Sequence, residues 1–446
     1  AIGSNCLVIV TGSGRLIRWT VPGPPPTMES QCVNLLPRLL SRSPRGTEFT
    51  DVVRDIHLDF SGWHAIVTVS TSKSDRTTQS TWYIHGTATK PRELRKLKHH
   101  VVRTVAWNRA NGDSENTSQI LMGTSAGCIL GMQLDRVSGS KSSTARLIDV
   151  HVLYQMKKPA PICGLYQTEF PHQSDKSYVI LMTSPPPSSS KGNKRSSFSE
   201  ISMAQFHEFV GGPTPFEMFK PYSSSSSCRP KTRGLHIVTS SDDTKCQLEV
   251  YEDNFTILSE RLICYGKLVF GSQNAGESLI RDAKMLRLTS DKDPVLPISI
   301  AATKYHFLVL FPKRLVAIRK IDEARVMSMD LNTVSRRFLR DAETSTLWIW
   351  SSREVFSLSL GDENRDMWKV HLRRASFEAA LSDCRDRNQK MIVRRAQAMH
   401  LFEKKQFTLA AKCFMRTDIP FESVVDMFLR AHEEKGLNVY VELMLK

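Results

Sequence analysis

The spacing of apolar residues changes once along the chain, near Gly361, and this change limits the folds available to it. Before it the apolar residues come in short alternating runs. Ile56, Leu58 and Phe60 are separated by His57 and Asp59, the period of a strand with one buried face. Such runs recur as hairpins. Leu7 to Val10 turns through Gly12-Ser13-Gly14 into Leu16 to Trp19, and Ile120 to Met122 turns through Thr124 to Gly127 into Ile129 to Leu134. Leu308 to Phe311 turns at Pro312-Lys313 into Leu315 to Ile318, and Leu347 to Trp350 turns at Ser351-Ser352 into Val355 to Leu358. Glycine permits positive φ in such turns, and Pro312 presets a turn φ. Six of the seven tryptophans fall in this region, where broad rings suit sheet surfaces.

After Gly361 the period is helical. Phe377, Ala380, Leu381 and Cys384 stand at i, i+3, i+4, i+7, as do Phe407, Ala410, Ala411 and Phe414, and Leu437, Tyr440, Val441 and Met444. The three leading residues are 30 positions apart. Further stripes lie between them: Ile392, Ala396 and Met399, then Val424, Met427, Phe428 and Ala431. Alternating stripes at this period predict helical hairpins stacked as an α-solenoid. Pro420 is placed to open a helix and Gly436 to separate two. The chain stops at Lys446, inside this pattern, so the last stripe is expected to lack a covering helix and to fray or self-associate.

No helical period separates the strands before Gly361, which argues against a parallel α/β sheet. A pair of β-sandwiches competes, but repeated hairpins over this length favour a β-propeller. The expected architecture is therefore a β-propeller over 1–361, its first blade incomplete, followed by the start of an α-solenoid over 362–446. Pro185 to Ser197 and the run Ser223 to Ser227 carry little apolar surface, so mobile Ser/Pro-rich insertions are expected near 185–233.

Chemistry is sparse. Gly123-Thr124-Ser125-Ala126-Gly127 matches the G-x-S-x-G elbow of hydrolases, but that elbow needs a helix after the serine, and Cys128 to Leu134 reads as a strand. No Gly-Lys-Ser/Thr follows it, so it is no phosphate loop. Gly12-Ser13-Gly14 lacks the third glycine of a dinucleotide site. His99-His100 and His306 have no partners at zinc-site spacing. The nine cysteines form no Cys-x-x-Cys pair, and this dispersed set reads as buried reduced thiols. Asn116-Thr117-Ser118 and Asn254-Phe255-Thr256 are chance sequons in a chain whose start carries no secretion signal. No catalytic, cofactor or metal residues are assigned. The net charge of +16 favours acidic partners, but the cations are scattered, with modest clusters at Arg92 to Arg103 and Lys191 to Arg195. Without a basic stripe and interleaved aromatics, nucleic acid is not an expected partner.

Several stretches carry a resemblance. Val102, Val105, Trp107 and Asn108 precede Ile120, Gly123, Thr124 and Gly127, and Pro159-Ala160-Pro161-Ile162-Cys163 follows. Tyr305-His306-Phe307-Leu308 leads the hairpin at Arg314. Then come Arg365-Asp366-Met367-Trp368, Leu372, Phe377, Ala380, Cys384, Phe402, Ala411, Cys413 and Phe421. In this order they resemble the deep-orange family of vacuolar protein sorting proteins. The resemblance implies a propeller, a long α-solenoid and a C-terminal RING finger, the last absent from these residues. It implies a non-enzymatic scaffold within the class C core of the HOPS and CORVET tethering complexes, on the cytosolic face of late endosomes and lysosomes or vacuoles. Its implied partners are the other class C subunits and, through them, Rab GTPases and SNAREs, with peripheral membrane association. The same architecture would serve a vesicle coat or a nuclear-pore scaffold. A hydrolase using Ser125 and a nucleic-acid-binding propeller are the remaining alternatives.

Overall fold

The computed structural model describes residues 2–3, 6–11, 15–21, 32–34, 50–73, 76–86, 91–108, 116–136, 145–156, 159–170, 173–183, 202–211, 214–219, 237–239, 246–259, 261–269, 280–288, 295–341 and 344–445. The chain divides into two compact units, Ala1–Ile318 with Arg325–Ser359, and Arg319–Ala324 with Leu360–Lys446.

Among the described residues, the strands of the first unit form seven sheets, six of four strands and one of three. Each sheet is a meander in chain order, spanning 2–34, 50–93, 102–155, 162–239, 246–287, 299–330 and 335–358, here blades 1 to 7. The first strands of blades 2 to 7 touch in succession, and that of blade 7 touches that of blade 1. This is a seven-bladed β-propeller with the first strand of each blade innermost. All four hairpins expected from the sequence are neighbouring strands within a blade.

The core is shared between blades, because each sheet buries both faces against its neighbours. Val8 and Leu16 pack with Val67 and Val69, and Ile66 and Tyr83 with Leu130 and Met132. Ala106 and Leu121 meet Ile162 and Leu165. A Cβ at Gly164 would lie 2.5 Å from Leu248 Cβ, so only glycine lets blades 4 and 5 approach this closely. Leu258 and Ile263 pack with Phe307 and Val309, and Leu308 and Leu310 with Phe338 and Ile349. Leu7 and Trp348, with Trp19 and Leu339, join blade 1 to blade 7.

Part of the stretch near 185–233 belongs to blade 4. Ser202–Gly211 is the third strand of blade 4, and Pro215–Met218 is a helical turn, α1, capped by Thr214. Phe209 packs edge to face on Tyr154, and Phe219 meets both rings at a tilt, the apolar content that the Ser/Pro-rich flanks lack. Those flanks, including Pro185 to Ser197 and Ser223 to Ser227, lie outside the described residues.

The second unit holds three helical hairpins: α2 (Met367–Arg373) with α3 (Phe377–Asp383), α4 (Arg387–Glu403) with α5 (Phe407–Phe414), and α6 (Phe421–Arg430) with α7 (Glu434–Met444). The stripes beginning at Phe377 and Phe407 are packed core, as expected. Each hairpin turns in the same way. Ala375, Lys405 and His432 take φ of 54°, 59° and 54°. The amide after each donates to a carbonyl five residues back: Ser376 to His371, Gln406 to Leu401 and Glu433 to Phe428. This is the Schellman turn.

Three details differ from the sequence reading. Gly436 lies inside α7 and separates nothing; a Cβ there would fall 2.6 Å from Phe428 Cε1, so the glycine serves close helix packing. Ile392 is 49% exposed, and Val393 takes the buried place on α4. Tyr440 is 2% exposed, stacked on Phe421 and Phe428, so the last stripe is largely covered by its own hairpin while Met444 remains exposed.

Candidate functional site

The concave centre of the propeller is the natural place to look for chemistry. A cavity of about 260 Å³ is lined by inner-strand residues of blades 2, 3, 5, 6 and 7, among them His57, Trp107, Gln247, Glu249, Arg337 and Arg340. Alternation puts Gln247 and Glu249 on one face of their strand.

Most of this polarity is spent on joining blades. Gln247 Nε2 donates to the Ile300 carbonyl (3.1 Å), and its Oε1 accepts from Ser299 Oγ (2.9 Å) and the Ile300 amide (3.2 Å). Ser299 Oγ in turn accepts from the Phe338 amide (3.1 Å). Glu249 Oε2 accepts from the Ala302 amide (2.7 Å), and Oε1 accepts from Arg340 Nε (2.8 Å). Arg340 also donates to the Ala302 carbonyl and lies 4.4 Å from the centre of the Tyr251 ring. One largely buried network thus clamps blades 5, 6 and 7. Gln167 does similar work, donating to the carbonyls of Ala106 (2.9 Å) and Gln119 (3.0 Å) across blades 3 and 4. Sequence inspection passed over these residues, although a charged or amide side chain at an inward strand position was the available signal.

His57 Nε2 and Trp107 Nε1 are buried at this cavity without a hydrogen-bond partner among the described residues. Burial lowers the His57 pKa to about 4, against an opposing pull from Asp55 and with help from Arg337. The imidazole is therefore neutral at pH 7. The unfolded chain takes up this proton at about pH 6.5, the folded one only near 4. Stability from this group is complete above about pH 6.5 and falls as the pH drops through that window. His57→Gln should flatten the acid side of a urea-midpoint profile between about pH 7 and 4.5. An unchanged slope would assign the acid sensitivity to other groups.

The residues singled out in the sequence do not converge. Ser125 sits in the hairpin turn between strands Asn116–Thr124 and Cys128–Arg136, its amide donating to the Val101 carbonyl (2.9 Å). No helix follows it, and among the described residues no histidine or carboxylate is hydrogen-bonded to its hydroxyl. Ser125→Ala should leave fold and assembly unchanged, and fluorophosphonate labelling of Ser125 in the folded protein would refute this. His306 begins the strand His306–Phe311, its amide donating to Thr303 Oγ1 (3.0 Å). His99 is exposed beside the turn Arg95–Leu97. Among the described residues no group of three His, Cys, Asp or Glu side chains could hold a metal ion. Cys6, Cys128, Cys163, Cys264, Cys384 and Cys413 are free thiols. Burial pushes Cys264 up to about 11 and raises Cys6, Cys384 and Cys413, so these are protonated, poor nucleophiles at neutral pH. No described helix is long and apolar enough to cross a membrane.

What the geometry offers is two kinds of contact surface, a rigid ring and a helical stack. Known proteins share this order. The Pep3/Vps18/deep orange beta-propeller domain matches residues 1–360, and the first half of the VPS18 alpha-solenoid domain matches 363–446. The vacuolar protein sorting-associated protein 18 homolog of Danio rerio is 26% identical over 411 residues, covering 87% of this chain and 38% of that protein. Vacuolar sorting protein 18 of Arabidopsis thaliana is 25% identical over 411 residues, with the same coverage. The Drosophila melanogaster homolog is 24% identical over 469 residues, covering 100% of this chain and 44% of that protein. The chain spans about two-fifths of the length of these relatives. With both domains matched in order along nearly its whole length, the chain belongs to the Pep3/Vps18/deep orange family.

Proposed function

We propose that this chain is the propeller and leading solenoid segment of a non-enzymatic scaffold subunit of an endolysosomal membrane-tethering complex. The observation that carries the reading is the propeller and solenoid matches in one chain, with relatives named for vacuolar sorting. Polar residues around the propeller axis that lock blades together, rather than forming a catalytic group, support a scaffold. In this reading the ring is a docking platform and the solenoid an extended surface. The subunit joins the other class C subunits of HOPS and CORVET. Rab GTPases and SNAREs are reached through those partners, and membrane association is peripheral, on the cytosolic face of late endosomes and lysosomes or vacuoles. Linking several weak contacts in one assembly supplies the avidity that tethering requires.

The test is affinity purification of the full-length protein followed by mass spectrometry. Recovery of the other class C subunits is the expected result. Coat or nuclear-pore subunits in their place would transfer the chain to that class of scaffold.

A further inference from the structure

The helical unit contains a cleft of about 450 Å³ between the start of α4 and the turn that follows α5. Five cations line it, Arg385, Arg387, Lys390, Arg394 and Arg416, against one acid, Asp386. Asp386 is already engaged as the α4 N-cap, accepting from the Gln389 amide (2.7 Å). Arg385 is held by Asp362 and Asn364. The other four have no carboxylate within ion-pairing distance among the described residues. Elsewhere on the same unit, Arg395 pairs with Asp418 (2.7 Å) and Arg430 with Asp426 (2.8 Å). Carboxylates are thus available on this surface, yet the only one in the cleft lining, Asp386, serves as a helix cap and pairs with none of these four cations.

Arg387, Lys390 and Arg394 follow one another at i, i+3 and i+7, so they share one face of α4. That places the outer two about 10 Å apart along the helix axis. Half-buried Met391 and Met415 also line the cleft. Cations over an apolar floor fit a ligand that carries both carboxylates and apolar side chains. Arg387, Lys390 and Arg416 are exposed and Arg394 is half-buried, and all four face one concavity of about 450 Å³, a shape that receives a peptide segment better than the flat headgroup layer of a membrane.

We propose that this cleft is a docking site for an acidic peptide segment of a partner protein, with glutamates or aspartates set against Arg387, Lys390, Arg394 and Arg416 and an apolar side chain on the methionines. The inference goes beyond the scaffold reading and holds whichever complex the chain joins.

The experiment measures fluorescence anisotropy of a fluorescein-labelled peptide of Glu-Glu-Leu repeats with the 446-residue chain. A Lys-Lys-Leu counterpart is run alongside, and flotation with phosphatidylcholine vesicles, with and without phosphatidylserine, is measured separately. The acidic peptide should bind, and the basic one should not. Binding should weaken as salt is raised. Arg387→Gln with Arg394→Gln should weaken binding about tenfold, while Lys404→Gln with Lys412→Gln, an equal loss of charge at exposed positions outside the cleft, should change it less than about twofold. Circular dichroism and melting of both variants check that each is folded. Equal losses in the two variants would reduce the effect to net charge and overturn the proposal. So would failure of the folded parent to bind the acidic peptide. Loss of phosphatidylserine flotation in the cleft variant, with peptide binding retained, would reassign the cleft to membranes.

Discussion

Phe428→Ala should open the helical unit while leaving the propeller folded. Phe428 is fully buried, with ring centres of Phe402, Phe407, Phe414 and Tyr440 at 5.2, 6.3, 6.1 and 6.4 Å. It touches both helices of the middle hairpin and its own partner helix, so no single neighbour can move in to fill the space. Truncating a buried aromatic of this kind costs about 3–5 kcal/mol. Hydrogen exchange should show that loss in the protection of α5, α6 and α7, with the strands of blades 5 and 6 unchanged. A loss under about 1 kcal/mol would mean that the hairpins are held by something other than this aromatic cluster. Gly436 offers an internal check. Gly436→Ala places a methyl against Phe428 and should cost about 1–3 kcal/mol by overpacking. In a Phe428→Leu background the ring atoms it strikes are gone, and the same substitution should cost less.

Glu249→Leu should weaken the propeller by about 3 kcal/mol, because it leaves the Arg340 guanidinium inside the ring without its acid. The two side chains are only 13% and 15% exposed, and their atoms approach to 2.7 Å. Arg340 would keep the Ala302 carbonyl and the Tyr251 ring, which sets the cost at the lower end for a broken buried pair. Glu249→Leu combined with Arg340→Met removes both charges and should regain all but about 1 kcal/mol. Urea unfolding followed by tryptophan emission reads the difference, since six of the seven tryptophans precede Gly361. If the double variant were as weak as the single one, hydrogen bonding to the Ala302 amide, not charge pairing, would be the contribution of Glu249.

The hairpins were legible because alternation and turn chemistry are local. Val309 and Val316 announce their burial within a few residues of Pro312. The blade clamps are a different matter. Glu249 and Arg340 stand 91 positions apart and Gln247 and Ser299 52, so nothing near either residue names its partner. Gly436 misleads for a related reason. Glycine reads locally as the end of a helix, whereas here a missing Cβ makes room for a ring that arrives from another helix. Ile392 and Val393 are adjacent β-branched residues, and a stripe drawn through either fits a 17-residue helix; packing alone decides between them. The family resemblance, not a catalytic constellation, pointed to a vacuolar-sorting scaffold.

The three hairpin turns are made by backbone alone. The residues that precede α3, α5 and α7, namely Ser376, Gln406 and Glu433, form no side-chain cap, and the left-handed position accepts alanine, lysine and histidine in turn. Shape and lettering are therefore independent at this edge of the stack. Substitutions there can rewrite what a neighbouring molecule meets, changing charge, bulk or protonation at one turn, without altering the rise from one hairpin to the next. A superhelix built this way can acquire and exchange binding partners while its curvature is inherited intact.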